Sequence, residues 1–112
     1  MYIKEKFIRH SKSNSGFETW ETFDSNNNRV YLKNSDGFES WEEYDKNNNL
    51  IHLKDTSGYE AWDDYDEKGN CIHIKDNKGC EFWYEYDEEG NLTKTKDNSG
   101  YVKYYDYTYY NW

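Results

Sequence analysis

GYEAWDDYDEKGNCIHIKDNK, residues 58–78, carries the pattern that decides the fold: two short alternating segments, each closed by a cluster of turn-forming residues. Its landmarks recur along the whole chain. Gly16, Gly37, Gly58, Gly79 and Gly100 stand 21 residues apart, and Trp20, Trp41, Trp62, Trp83 and Tyr104 follow at the same step. So do Phe23, Tyr44, Tyr65, Tyr86 and Tyr107, then Asp24, Asp45, Asp66 and Asp87, and Lys12, Lys33, Lys54, Lys75 and Lys96. A fixed period of this length marks a stacked repeat whose unit is one supersecondary element. The chain reads as a single domain: a leading half-unit 1–15, full units 16–36, 37–57, 58–78 and 79–99, and a trailing half-unit 100–112.

Inside a unit, segments such as FESWEEY (38–44) and LIHLK (50–54) alternate between turn clusters, the signal of strands and hairpins, and nothing keeps a helical period. The absence of proline suits uninterrupted ladders. The expected fold is all-β, an antiparallel up-and-down meander of about ten strands built from β-hairpin repeats, either an open twisted sheet or one partly rolled. Asp66-Glu67-Lys68-Gly69-Asn70 fits a type I turn followed by a residue at positive φ in a G1 bulge. Asp36-Gly37, Ser57-Gly58, Lys78-Gly79 and Ser99-Gly100 fit two-residue primed turns. That pair of turns sets Trp20 opposite Leu32 and Leu32 opposite Trp41. It predicts a better-buried face of Trp20, Leu32, Trp41, Leu53, Trp62, Ile74 and Trp83. The opposite face then holds Phe23, Arg29, Tyr44, Leu50, Tyr65, Cys71, Tyr86, Leu92 and Tyr107, with His52, His73 and the lysines beside them.

Composition narrows the function classes. A chain of 112 residues buries about two-thirds of its unfolded surface, so its core is thin. Only 34% of residues are hydrophobic and the net charge is −9, but aromatic residues make up 21%, and such rings bury large areas while tolerating a wet edge. The start has no apolar h-region and no stretch approaches the ~20 apolar residues of a membrane span, which points to a cytoplasmic protein with no membrane contact. Cys71 and Cys80 make neither a disulfide framework nor a C-x₂-C metal signature, and no cofactor motif is present. Acidic balance argues against direct contact with nucleic acid or an anionic membrane, and for a basic protein partner or for plain solubility.

Residues 79–97 resemble the YD repeat of the RHS family, whose units read roughly G-x₄-Y-x-Y-D-x-x-G-R/N-L-T-x₃-D. The matching positions are Gly79, Tyr84, Tyr86, Asp87, Gly90, Asn91, Leu92, Thr93 and Asp97. Earlier units keep Tyr44-Asp45 and Tyr65-Asp66, or Phe23-Asp24, and replace other signature residues. The resemblance implies a β-hairpin array and a role in binding saccharide or cell-surface partners.

Two surfaces are candidate binding sites. In the predicted register Glu39, Asp55, Glu60, Asp76, Glu81 and Asp97 form a row of carboxylates along one sheet edge, at spacings comparable to those of nucleic-acid phosphates. The bland alternative is that they are solvated strand ends and turn caps. The second surface is the row Tyr44, Tyr65, Tyr86 and Tyr107, a platform for a saccharide. His10, His52 and His73 fall in one row near Glu42 and Asp63; a flat row does not converge on zinc, so structural Glu/His pairing is the better reading. No nucleophile elbow or phosphate-cradling loop appears, and carboxylates repeated in every unit mark a scaffold, so no catalytic residue is expected. The favoured function is a non-enzymatic acidic protein-binding module, of the kind that phages and mobile elements use as anti-CRISPR-like nucleic-acid mimics against a basic nucleic-acid-handling protein. A saccharide-binding repeat and a scaffold that self-associates through a sheet face or edge are the alternatives.

Overall fold

The computed structural model describes residues 7–106. It contains ten strands: β1 Phe7–Lys12, β2 Glu18–Phe23, β3 Arg29–Asn34, β4 Glu39–Tyr44, β5 Leu50–Asp55, β6 Glu60–Tyr65, β7 Cys71–Asp76, β8 Glu81–Tyr86, β9 Leu92–Asp97 and β10 Val102–Tyr104. Strand order follows the chain from β1 to β10, so the fold is the expected all-β meander, and because β1 and β10 end that order it is not closed into a barrel. The chain forms two compact units, Met1–Ala61 and Trp62–Trp112, with the boundary inside β6. Among the described residues no helix is long and apolar enough to cross a membrane.

The turns explain the register, and here the structure departs from the sequence reading. At one end of a hairpin Asp24 N–H donates to Asn28 O at 2.9 Å and Asn27 N–H to Asp24 O at 3.0 Å, with Asn27 at φ 67°. This is the expected type I turn with its G1 bulge. At the other end Asn34 N–H donates to Phe38 O at 2.9 Å and Gly37 N–H to Asn34 O at 3.0 Å, with Gly37 at φ 97°. It is the same turn again. A primed two-residue turn needs positive φ at its first central residue, here Asp36, and among the described non-glycine residues only Asn27 and Asn48 have it.

Two connections of equal parity would send successive Trp residues to opposite faces. A second irregularity prevents this. Thr22 faces Tyr31 but Phe23 faces Arg29, leaving Val30 as an extra residue; Ile51 plays the same part between β4 and β5, and Thr93 between β8 and β9. Such a β-bulge adds one residue to one strand and restores the lost parity.

The faces are therefore composed differently from the prediction. Trp20 lies opposite Lys33, not Leu32, and Leu32 lies opposite Glu21 and Ser40. Trp41 meets Tyr31 on one side and Lys54 on the other. In the first unit one face carries His10, Trp20, Tyr31, Lys33, Trp41, His52 and Lys54. The other carries Arg9, Glu21, Leu32, Glu42 and Leu53. The second unit repeats the scheme, with His73 against Trp83 and Trp83 against Lys96 on one face and Ile74 against Phe82 on the other. The predicted neighbours Phe23–Arg29, Tyr44–Leu50 and Tyr86–Leu92 do pair, because they lie between turn and bulge, before the register shifts.

No hydrophobic side chain among the described residues is fully buried; Trp41 is 41% exposed and Trp62 39%. The expectation of a better-buried Trp face is corrected accordingly: Lys33, Lys54 and Lys96, not Leu, lie opposite Trp20, Trp41 and Trp83, and a lysine there leaves the ring's edge open to water. The buried residues are Ser40 and Glu42. Glu42 accepts a hydrogen bond from Arg29 Nε at 3.1 Å, and Arg29 also reaches Glu21 at 3.2 Å, so the most enclosed place in the first unit is polar and paired.

Candidate functional site

The predicted carboxylate row is dispersed by this register. Glu39 lies opposite Lys33 and accepts a hydrogen bond from Tyr31 Oη. Glu60 meets His52 Nε2 at 2.7 Å, and Glu81 lies opposite Lys75 and meets His73 Nε2 at 2.7 Å. Asp55, Asp76 and Asp97 face the other side of their strands, opposite Ser40 in the case of Asp55 and Phe82 in the case of Asp97. They cap turns: Asp55 accepts from the N–H of Ser57, Asp76 from those of Lys78 and Cys80, and Asp97 from those of Ser99 and Tyr101. The Ser99 hydroxyl first, with the N–H groups of Ser99 and Tyr101 after it, holds the Asp97 carboxyl below its ordinary range against an opposing effect of burial.

Histidine–carboxylate pairing is present, with different acids from those expected. His52 Nδ1 meets Glu43 at 2.7 Å and its Nε2 meets Glu60; His73 Nδ1 meets Asp64 at 3.0 Å and its Nε2 meets Glu81. A neutral imidazole has one N–H, so two carboxylate contacts call for the doubly protonated ring. The hydrogen bonds from Glu43 and then Glu60 raise the His52 pKa, and those from Asp64 and then Glu81 raise that of His73, in each case against a smaller opposing effect of burial. Each ring thus links three consecutive strands. His73 also stacks on Trp83 with centroids 5.4 Å apart, and Lys96 Nζ stands 5.5 Å from the Trp83 centroid.

The turns at the opposite end of the hairpins also hold their aspartates through backbone N–H groups. Asp45 Oδ1 accepts from the N–H groups of Asn47 at 2.8 Å and Asn49 at 2.9 Å, while Oδ2 accepts from Asn49 Nδ2 at 3.2 Å. Asp66 and Asp87 repeat this with Lys68 and Asn70, and with Glu89 and Asn91. The N–H of the fourth residue on is the largest cause holding all three carboxyls below the ordinary Asp value, with burial a weaker opposing effect. The backbone fixes these charges in position and keeps them ionised.

Between successive turns of this kind lies a groove, one in each unit. In the first it has a volume of about 500 Å³ and is lined by Asp24, Glu42, Glu43, Tyr44, Asp45 and Lys46 among others. In the second the volume is about 510 Å³ and the lining includes Asp66, Glu67, Tyr84, Tyr86, Asp87 and Glu88. Neighbouring turns are tied together, Asn28 Nδ2 donating to Asn48 Oδ1 at 2.8 Å and Lys68 Nζ to Glu88 O at 3.1 Å. Carboxylates around an aromatic wall suit a Lys or Arg side chain. Of the two surfaces predicted separately, Tyr44 and Tyr86 come together with acids here, but with Asp24, Asp45, Asp66 and Asp87 in place of the six residues named from sequence. The repeated Asp-x-x-Asn/Gly-Asn motif was the available signal for them.

The Tyr hydroxyls have other duties. Tyr44 Oη donates to Arg29 O at 2.8 Å and Tyr86 Oη to Cys71 O at 2.7 Å. Burial first, and the Glu42 charge after it, push the Tyr44 pKa up to about 12. Tyr65 lies on β6 with its own hydrogen-bonded surroundings, and Tyr107 falls outside the described residues. No family model and no curated protein matches the chain.

Proposed function

We propose that the chain is a non-enzymatic acidic binding module whose partner is a basic, nucleic-acid-handling protein, and that it acts by occupying surface that would otherwise hold phosphates. The observation that carries this reading is the repeated groove, in which turn carboxylates held ionised by backbone amides flank a tyrosine. On the strands Glu18, Glu21, Glu42, Glu43, Glu60, Asp64, Glu81 and Glu85 each meet a His, Lys or Arg, whereas the turn aspartates are held by backbone N–H groups, so much of the negative charge lies at the turns. The similarity of residues 79–97 to YD repeats suits a binding role. A saccharide platform on the Tyr row is less favoured, because Tyr44 and Tyr86 already direct their hydroxyls to backbone carbonyls.

Binding of this kind is steep in ionic strength, since exposed charges are screened beyond about 8 Å at physiological salt. The test uses a panel of basic nucleases and repressors, each holding a fluorescent DNA duplex, and follows release of the duplex on adding the chain. Release from at least one member at low salt, lost on raising the salt, is expected. Glu67→Gln, Glu88→Gln and Glu89→Gln combined should reduce that release at least tenfold. These three residues cap nothing through their side chains, so the variant keeps its turns. Salt-insensitive release, or equal action of the triple variant, overturns the proposal.

A further inference from the structure

We infer that two copies of this chain associate head to tail, the free edge of β10 in one copy pairing with the free edge of β1 in the next, in the register that joins the strands inside each repeat. β1 and β10 stand at the two ends of the strand order, each paired on one side among the described residues. The internal pairings share a pattern. Trp20 faces Lys33, Trp41 faces Lys54 and Trp83 faces Lys96; two residues on, Glu43 faces His52 and Glu85 faces Lys94, with Thr22 facing Tyr31 at that place in the first hairpin. Carried forward by the 21-residue step, the same pattern sets Tyr104 of β10 opposite Lys12 of β1 and Asp106 opposite His10. An aromatic ring again meets a lysine and a carboxylate again meets a base.

Three further observations support this partner. β1 carries Arg9, His10 and Lys12 with no acid between Phe7 and Lys12, in a chain of net charge −9, so it is the segment that an acidic copy attracts. His10 resembles His52 and His73 on one side only: its Nε2 meets Glu18 at 3.2 Å and its ring stacks on Trp20 at 4.9 Å, while among the described residues no acid meets its Nδ1 as Glu43 or Asp64 meets that of the others. The backbone is also disposed for it. Ser13 N–H donates to Phe17 O, so by the alternation of an antiparallel ladder the N–H groups of Lys12 and His10 point away from β2. Asp97 N–H donates to Tyr101 O and Tyr105 N–H to Thr93 O, which by the same alternation turns the Tyr104 N–H away from β9. Lysine on an edge strand ordinarily discourages pairing; opposite an aromatic ring, as Lys96 is opposite Trp83, it becomes part of the contact.

The two edges are different, so the contact is heterologous and extends with concentration. Sedimentation velocity on the full 112-residue chain should show the weight-average mass rising with concentration. His10→Pro removes an outward N–H from β1, and Tyr104→Pro one from β10, at edge positions where proline is tolerated; circular dichroism checks that each variant keeps its strands. Each alone should be monomeric. Their mixture should form a one-to-one dimer, because each still has the edge that the other lost. A parent chain that stays monomeric up to its solubility limit overturns the inference. So does a variant that associates like the parent, or a mixture that stays monomeric.

Discussion

A histidine with a carboxylate on each ring nitrogen is more useful to the fold charged than neutral. His52 and His73 have raised pKa values in the folded chain, so the stability they contribute is fully present below their unfolded value of about 6.5 and is lost as pH rises through the higher folded value. Denaturation midpoints measured across that window should fall with rising pH. The slope should diminish in His52→Gln and further in His52→Gln with His73→Gln; imidazole proton shifts in NMR give the two folded values directly. The turn aspartates act in the opposite sense. Asp45, Asp66 and Asp87 have lowered values, so their contribution is present above about pH 4 and disappears as pH falls through the depressed range. Asp66→Ala should lower the melting temperature at pH 7, and the difference from the parent should shrink in acid. At this scale the sequence named the right residue types. That His would pair with acids was legible, but which acids depended on register, and Glu42 and Glu43, one residue apart, lie on opposite faces.

Register is decided at the scale of the element. The 21-residue period, the strands and one turn type were legible from Gly, Asn and Asp positions and from the alternation. The second turn was misjudged although its own letters gave the answer: Asp55-Thr56-Ser57-Gly58 has the same Asp-x-x-Gly form as Asp66-Glu67-Lys68-Gly69. Hydrophobic patterning did not correct the error, because both faces mix aromatic, aliphatic and charged residues, so a slipped register looked as amphipathic as the true one. The bulges at Val30, Ile51 and Thr93 left no signal, since a bulge needs no special residue there. Two predictions belong here. Gly37 sits at φ 97° with open space where a Cβ would be, so Gly37→Ala should cost about 1–2 kcal/mol through backbone strain alone, read from a urea midpoint. Deleting Ile51 should be tolerated, because it removes the residue that the ladder leaves unpaired and keeps Glu43 opposite His52 and Glu42 opposite Leu53; a retained cooperative urea transition followed by Trp fluorescence is the expected result.

For the molecule as a whole, stability comes from ladders and ring-on-stem contacts between sequence neighbours, with no fully buried apolar side chain among the described residues. Such a chain behaves as a one-dimensional array in which each strand depends on the two beside it. Amide exchange in β1 and β10 should therefore be faster than in β3, β4 and β8, measured by mass spectrometry on dilute samples where association is suppressed. At this scale the meander was legible and the distribution of charge was not, because it follows from which acids the register neutralises.

The parity-restoring bulge has one more consequence, for length. With one extra residue per hairpin, adding or removing 21 residues leaves every face as it was, whereas an odd insertion within a strand inverts all that follows. Each copied unit advances the strand order by two strands, close to 10 Å at ~4.8 Å per strand, and brings two more turn aspartates, one at each end of the hairpin. Duplication of a coding segment thus acts as a ruler, setting the number of turns along the array without redesigning any of its contacts.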